Sequence, residues 1–181
     1  MFHRIQQLDD KVVDNIIRFR SPIKNRIMVA ASSAGNLGII WFAICLPFLI
    51  YSPTRKTGVN IIFTLGFTQL ICEFMIKRLV KRERPCNHLS DEEQLIHRPK
   101  YYSFPSGHTS ASFCVVAVTL LRCRWYIVLG VFIIAVMIAS SRVYLRVHYL
   151  SDVVVGAILG FLCGFASVAL FNQMLQSWFG I

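Results

Sequence analysis

Residues 153–181 read VVVGAILGFLCGFASVALFNQMLQSWFGI, 29 positions without a single Asp, Glu, Lys or Arg. An unbroken apolar run of this length exceeds the roughly 17–25 residues that a helix needs to cross a bilayer. A helix is preferred to a membrane β-barrel strand, because barrel strands are about ten residues long and alternate in polarity. Four more charge-free windows lie upstream, at 27–54, 57–72, 101–121 and 125–141. The second is short and reaches about Ile76 if Glu73 is tolerated inside it. The sequence therefore predicts an all-α integral membrane bundle over 27–181 with about five transmembrane helices. An N-terminal segment, 1–26, precedes it. There Ile5, Leu8, Val12, Ile16 and Phe19 recur at three- and four-residue steps, which predicts a short amphipathic helix on the membrane surface or packed on the bundle.

Composition agrees. Of 181 residues 55% are hydrophobic and 15% charged, against about 25% charged in soluble domains. A soluble globule, a disordered chain and a disulfide-stapled secreted domain are set aside. The formal charge of +10 is read as affinity for an anionic lipid surface or substrate, since no soluble basic domain is present to hold nucleic acid. Cys45, Cys72, Cys114 and Cys163 fall in apolar windows, and no C-x-x-C pair suggests zinc or redox chemistry. Cys86 and Cys123 fall in connections on opposite faces.

The polar residues gather on one face. Tight turns at 52–56 and 122–124 put those connections on one side with the C-terminus, and the N-terminal segment, the connection near 77–105 and the connection near 142–152 on the other. On that second side stand Lys77, Arg78, Lys81, Arg82 and Arg84, a run that by itself would serve as a membrane-surface anchor. Next come Ser106, Gly107 and His108, opening the third window with the pattern of an anion site at a helix N-terminus. Arg142 ends the fourth window, and His148 and Asp152 open the fifth. Four residues apart, these last two share a helix face, so the carboxylate can orient the imidazole as base or nucleophile. Cations gathered on one half-buried face repel one another unless they meet an anion. This constellation predicts a pocket for a phosphate-like group, with one His to attack it and a second to protonate the leaving oxygen. His108, His148 and Asp152 are also ordinary metal ligands, but the surrounding cations would repel a divalent ion.

Three spaced patterns carry a resemblance: Lys77 with Arg84-Pro85; Pro105-Ser106-Gly107-His108; and Ser141-Arg142 with His148 and Asp152. In them the chain resembles the type 2 phosphatidic acid phosphatase family. That resemblance implies that His148 attacks phosphorus, Asp152 orients it, His108 protonates the leaving group, and Lys77, Arg84, Ser106, Gly107 and Arg142 hold the phosphoryl oxygens. It implies no metal or other cofactor and a lipid phosphate or diphosphate entering from the bilayer. The small size is similar to bacterial plasma-membrane members acting on undecaprenyl diphosphate, phosphatidylglycerol phosphate or phosphatidic acid. The alternative is a non-enzymatic transporter or lipid-binding protein that keeps a phosphate pocket.

Other features are less settled by the residues. Arg146 stands where the resemblance leads one to expect a small residue such as Gly, and is read as a contact to a second phosphate, favouring diphosphates. Ser32-Ser33-Ala34-Gly35-Asn36 interrupts the first window, which is therefore broken or lines a substrate entrance. Gly156, Gly160 and Gly164 predict close helix packing, within the bundle or across a dimer. Glu73 is expected to pair with Lys77 or a nearby Arg. Positive charges number 15 on the site face against four on the other. That count points the site to the cytoplasm, whereas the resemblance points to an extracytoplasmic site, which is the expectation retained.

Overall fold

A computed structural model describes residues 2–179. Among these residues eight α-helices follow in order: α1 (Phe2–Ile16), α2 (Pro22–Ala34), α3 (Ile39–Ile50), α4 (Arg55–Gln69), α5 (Lys77–Val80), α6 (Gly107–Arg122), α7 (Trp125–Tyr144) and α8 (Leu150–Phe179). A π-helical stretch, Leu70–Ile76, joins α4 to α5 in one continuous rod. Among the described residues there is no β-strand.

Among the described residues three helices are long and apolar enough to cross a membrane: Ser52–Val80, Trp125–Tyr144 and Leu150–Ser177. The first charge-free window forms a bent pair, Pro22–Ala34 and Asn36–Ile50, turned by 58° at Gly35. Left-handed backbone at Leu37 (φ 51°) and Gly38 (φ 71°) makes the break. Counting that pair as one span gives four rather than the five expected. The remaining window loses its first six residues to an irregular approach, leaving α6 with 16. At 1.5 Å per residue it spans about 24 Å, short of the roughly 30 Å hydrocarbon layer.

α6 is the core of the bundle. Thr109 to Thr119 are buried without interruption, and α8 packs along it through the glycine stripe. A Cβ on Gly160 would stand 2.5 Å from the Ser110 carbonyl oxygen, so only hydrogen fits there. Gly156 and Gly164 likewise face Ser106 and Ala117. The stripe is thus occupied by α6, and the dimer considered from these glycines would need a different surface. Elsewhere α3 packs beside α4, with the Cys45 thiol donating to the Gly58 carbonyl, and α2 beside α7, with the Tyr144 hydroxyl donating to Asn25 Oδ1 at 2.8 Å.

α1 lies across the site end of the bundle. Val13 is buried, and Val12 and Ile16 join the core cluster. Ile5 and Leu8 stay exposed, so the helix both packs on the protein and presents an apolar edge outward.

Candidate active site

The site is built from chain ends that the fold brings to one face. The connection 145–149 reverses direction between α7 and α8, and both Val147 N and His148 N donate to the Arg142 carbonyl at 3.2 Å. This turn drives the His148 side chain inward, to 1% exposure. The connection 81–106 then folds over it. Arg84 is held by three carbonyls: Nε donates to Tyr101 at 2.6 Å, Nη1 to Val147 at 2.8 Å and Nη2 to Tyr102 at 3.1 Å.

Arg84 Nη1 also lies 3.0 Å from His148 Nε2. A guanidinium nitrogen can only donate, so Nε2 accepts and carries no proton. The proton of the neutral ring is then on Nδ1, which faces Ser103 Oγ at 3.4 Å and Asp152 Oδ2 at 3.6 Å. Ser103 in turn donates its hydroxyl to Asp152 Oδ2 at 2.5 Å. Asp152 therefore acts on the imidazole largely through Ser103. It also accepts from Tyr149 N at 3.0 Å, so it stabilises the first turn of α8 at the same time. Burial, then the Arg84, Arg142 and Lys77 cations, push His148 well below its ordinary value. The lone pair at Nε2 is kept unprotonated and bonded to the Arg84 cation that would neutralise an incoming phosphate.

Around this pair the other expected residues assemble. Lys77, 6% exposed, pairs with Glu73 at 2.5 Å, as the four-residue spacing predicts. Arg142, 3% exposed, donates to the Ser32 hydroxyl, while its Nε has no hydrogen-bond partner among the described residues. Ser106 is fully buried, and its Oγ accepts from the Thr109 hydroxyl at 2.9 Å, which leaves the Ser106 proton free to donate outward. A Cβ on Gly107 would meet Glu73 Oε1 at 2.5 Å, so a larger residue there would displace the end of the Glu73 side chain from its place beside Lys77. His108 is half-buried, with Arg142, His148, Lys77 and Arg84 within electrostatic reach. Its Nε2 lies 2.9 Å from Asn36 Oδ1, delivered by the bend between α2 and α3. At that bend a Cβ on Gly35 would come within 2.9 Å of the His108 ring.

Arg146 goes elsewhere. Its nitrogens lie 4.0 Å from Asp14 Oδ1 and 3.8 Å from Glu93 Oε1, joining α1 to the long connection. Its φ of 58° is the left-handed conformation that favours glycine, which gives a physical reason for expecting Gly there. Cys86 is 1% exposed, packed with Tyr144, Leu145 and Val147, and so cannot report on its face of the membrane. Sequence reasoning missed Ser103 and Asp9, and it named Arg82, Ser32 and Asn36 without giving them a partner at the site. None carries a spacing signal, because each reaches the site through a loop or a separate helix.

Comparison with known proteins follows the same lines. The family model of the PAP2 superfamily matches residues 57–175. The chain is 33% identical to an undecaprenyl-diphosphatase of Sulfolobus acidocaldarius over 80% of its length and 69% of the relative's. It is 30% identical to phosphatidylglycerophosphatase B of Bacillus subtilis over 89% of its length and 82% of the relative's. The crystal structure of a transmembrane PAP2-type phosphatidylglycerolphosphate phosphatase from Bacillus subtilis superposes with a TM-score of 0.76 at 25% identity, covering 94% of this chain and 87% of that one. With its three motifs assembled at one site and its fold shared with these phosphatases, the chain belongs to the PAP2 superfamily.

Proposed function

We propose that the protein is a membrane-embedded phosphatase hydrolysing a lipid phosphate or diphosphate through a phosphohistidine on His148. The observation that carries the reading is the approach of Arg84 to His148 Nε2 at 3.0 Å, which leaves the unprotonated nitrogen beside the charge that would receive a phosphoryl oxygen. In this reading Nε2 attacks phosphorus as the bond to the leaving oxygen breaks, and His108 gives that oxygen a proton. Water then attacks the phosphohistidine, His108 takes its proton, and inorganic phosphate departs. Lys77, Arg84, Arg142, the Ser106 hydroxyl and the Gly107 N–H stabilise the charge on the transferring group.

The favoured substrate is undecaprenyl diphosphate, supported by the likeness to the Sulfolobus enzyme. Phosphatidylglycerol phosphate and phosphatidic acid are the other candidates. Arg146 lends no support to a diphosphate preference, because its guanidinium lies against Asp14 and Glu93. The test is phosphate release from all three lipids by the purified protein, compared as kcat/KM. Activity is expected to persist in excess EDTA and to fall with vanadate, which mimics the transferring phosphoryl group. Loss on chelation with recovery on adding one divalent ion would replace this mechanism with a metal-dependent one, and no release from any of the lipids would favour a non-enzymatic role.

The site is assigned to the extracytoplasmic side of an integral membrane protein. The adverse charge count includes Lys77, Arg84, Arg142 and Arg146, all buried in protein contacts, so it overstates what the lipid surface feels. Because Cys86 is covered, Asn87→Cys in the exposed part of the same connection serves as reporter. An impermeant thiol reagent should label it in intact cells and spare Cys123; the reverse pattern would place the site in the cytoplasm.

A further inference from the structure

Asp152 is held by more than His148 and Ser103. Its Oδ1 accepts from Arg82 Nη1 at 2.5 Å, and the same nitrogen donates to Ser151 Oγ at 2.7 Å. Arg82 Nη2 turns the other way, to Asp9 Oδ2 at 2.7 Å and Gln6 Oε1 at 2.8 Å, both on α1. Its guanidinium lies 4.0 Å from the centre of the Tyr149 ring, which fixes the plane in which the fork can act. Asp9 is 3% exposed and also accepts from Ser151 N at 2.9 Å and the Ser151 hydroxyl at 2.5 Å. A buried carboxylate with these three donors ties α1 to the first turn of α8, where Asp152 stands. Asp9 lies outside residues 57–175, the part of the chain that the family model matches.

We propose that Arg82 and Asp9 are positioning residues of the phosphatase reaction: Asp9 holds the Arg82 guanidinium, and Arg82 holds the Asp152 carboxylate in the orientation that serves His148. The N-terminal helix is then part of the catalytic support. This rests on the reading of His148 as nucleophile. Charge balance argues for it as well as geometry. Three cations face His148: Lys77 from α5, Arg84 from the long connection and Arg142 from α7. Asp152 faces His148 across Ser103, and its negative charge is offset by Arg82, whose second partner is Asp9. Removing Arg82 exposes the imidazole to an uncompensated carboxylate, which favours the protonated, non-nucleophilic ring.

The experiment compares the full-length wild type with Arg82→Gln, Arg82→Lys, Asp9→Asn and the double variant Asp9→Asn/Arg82→Gln. It reads kcat and KM on one lipid phosphate, the pH dependence of kcat/KM, and the melting temperature. Arg82→Gln should lower kcat by about 10- to 100-fold, the size of loss seen when the hydrogen-bond partner behind a metal-bound histidine is removed, with KM little changed. Its acid limb should move to higher pH than in wild type, since the substrate's own titration is common to both. Arg82→Lys should recover part of the rate. Asp9→Asn should change rate and limb in the same direction but less, and the double variant should be no slower than Arg82→Gln alone, because Asp9 acts through Arg82. Rates within about twofold of wild type with an unmoved limb would overturn the proposal. So would losses that track a lowered melting temperature while the limb stays in place. Retained turnover in His148→Ala would instead defeat the underlying mechanism, whatever the Arg82 variants show.

Discussion

His148→Ala should remove turnover nearly completely, while the protein still folds and still binds phosphate. The reason is the single role assigned to Nε2. It forms the bond to phosphorus, and no neighbouring group can take its place: Lys77 is occupied by Glu73 at 2.5 Å, and Ser106 lacks a base, its Oγ accepting from Thr109. Loss of a covalent nucleophile removes the route itself, so the fall should exceed the roughly 10²- to 10⁴-fold typical of losing a general acid. The fold should tolerate the change, because Arg84 keeps its three carbonyl partners and the Ser103 hydroxyl keeps Asp152. Two measurements separate chemistry from folding. Wild type quenched during turnover should hold an acid-labile, base-stable phosphoryl label that the variant lacks. Inorganic phosphate should raise the melting temperature of both, since the cations remain. A variant that still turns over within about tenfold of wild type, or that still takes up the label, would place the nucleophile elsewhere.

Much of this site is legible in the sequence because it depends on local geometry. Four-residue spacing predicts the pairing of Glu73 with Lys77, and it sets Asp152 beside His148 at 3.6 Å. Ser106 and Gly107 open α6 as the Ser-Gly-His pattern predicts, six residues inside the window. What could not be read is how those groups are held. Ser103 and Arg82 arrive on an irregular connection, Asn36 through a bend, and Asp9 on a helix whose apolar stripe is compatible with lipid or protein. Absence of charge marks what can sit in an apolar medium, but does not tell lipid from protein interior. That is why the window 101–121 predicts a spanning helix and yields a shorter one buried at the centre. The glycine stripe was ambiguous for the same reason. It announces close approach of another backbone, and only the fold identifies that backbone as α6.

His108→Ala should separate the candidate substrates as well as test the acid. The His108 ring packs at the Gly35–Asn36 bend, with Nε2 2.9 Å from Asn36 Oδ1, and the Arg142, His148, Lys77 and Arg84 side chains lie within electrostatic reach. Its role is to protonate the leaving oxygen, and the need for a proton depends on what leaves. From phosphatidic acid or phosphatidylglycerol phosphate the leaving group is an alkoxide, which cannot depart into a low-dielectric site without one. From a polyprenyl diphosphate it is a phosphate, already stable as an anion at neutral pH. The variant should therefore lose about 10³-fold or more in kcat on the monoesters, within the range for general acids. On the diphosphate the loss should be only about tenfold, with KM changing little on either substrate. Wild-type preference and variant preference would then diverge, and the variant would be selective for diphosphate by default. Equal losses on the two classes would mean that His108 serves phosphate binding or the fold rather than proton transfer, and the acid would have to be sought among the other groups at the mouth of the site. A larger loss on the diphosphate would go further, assigning His108 to the second phosphate as its ligand.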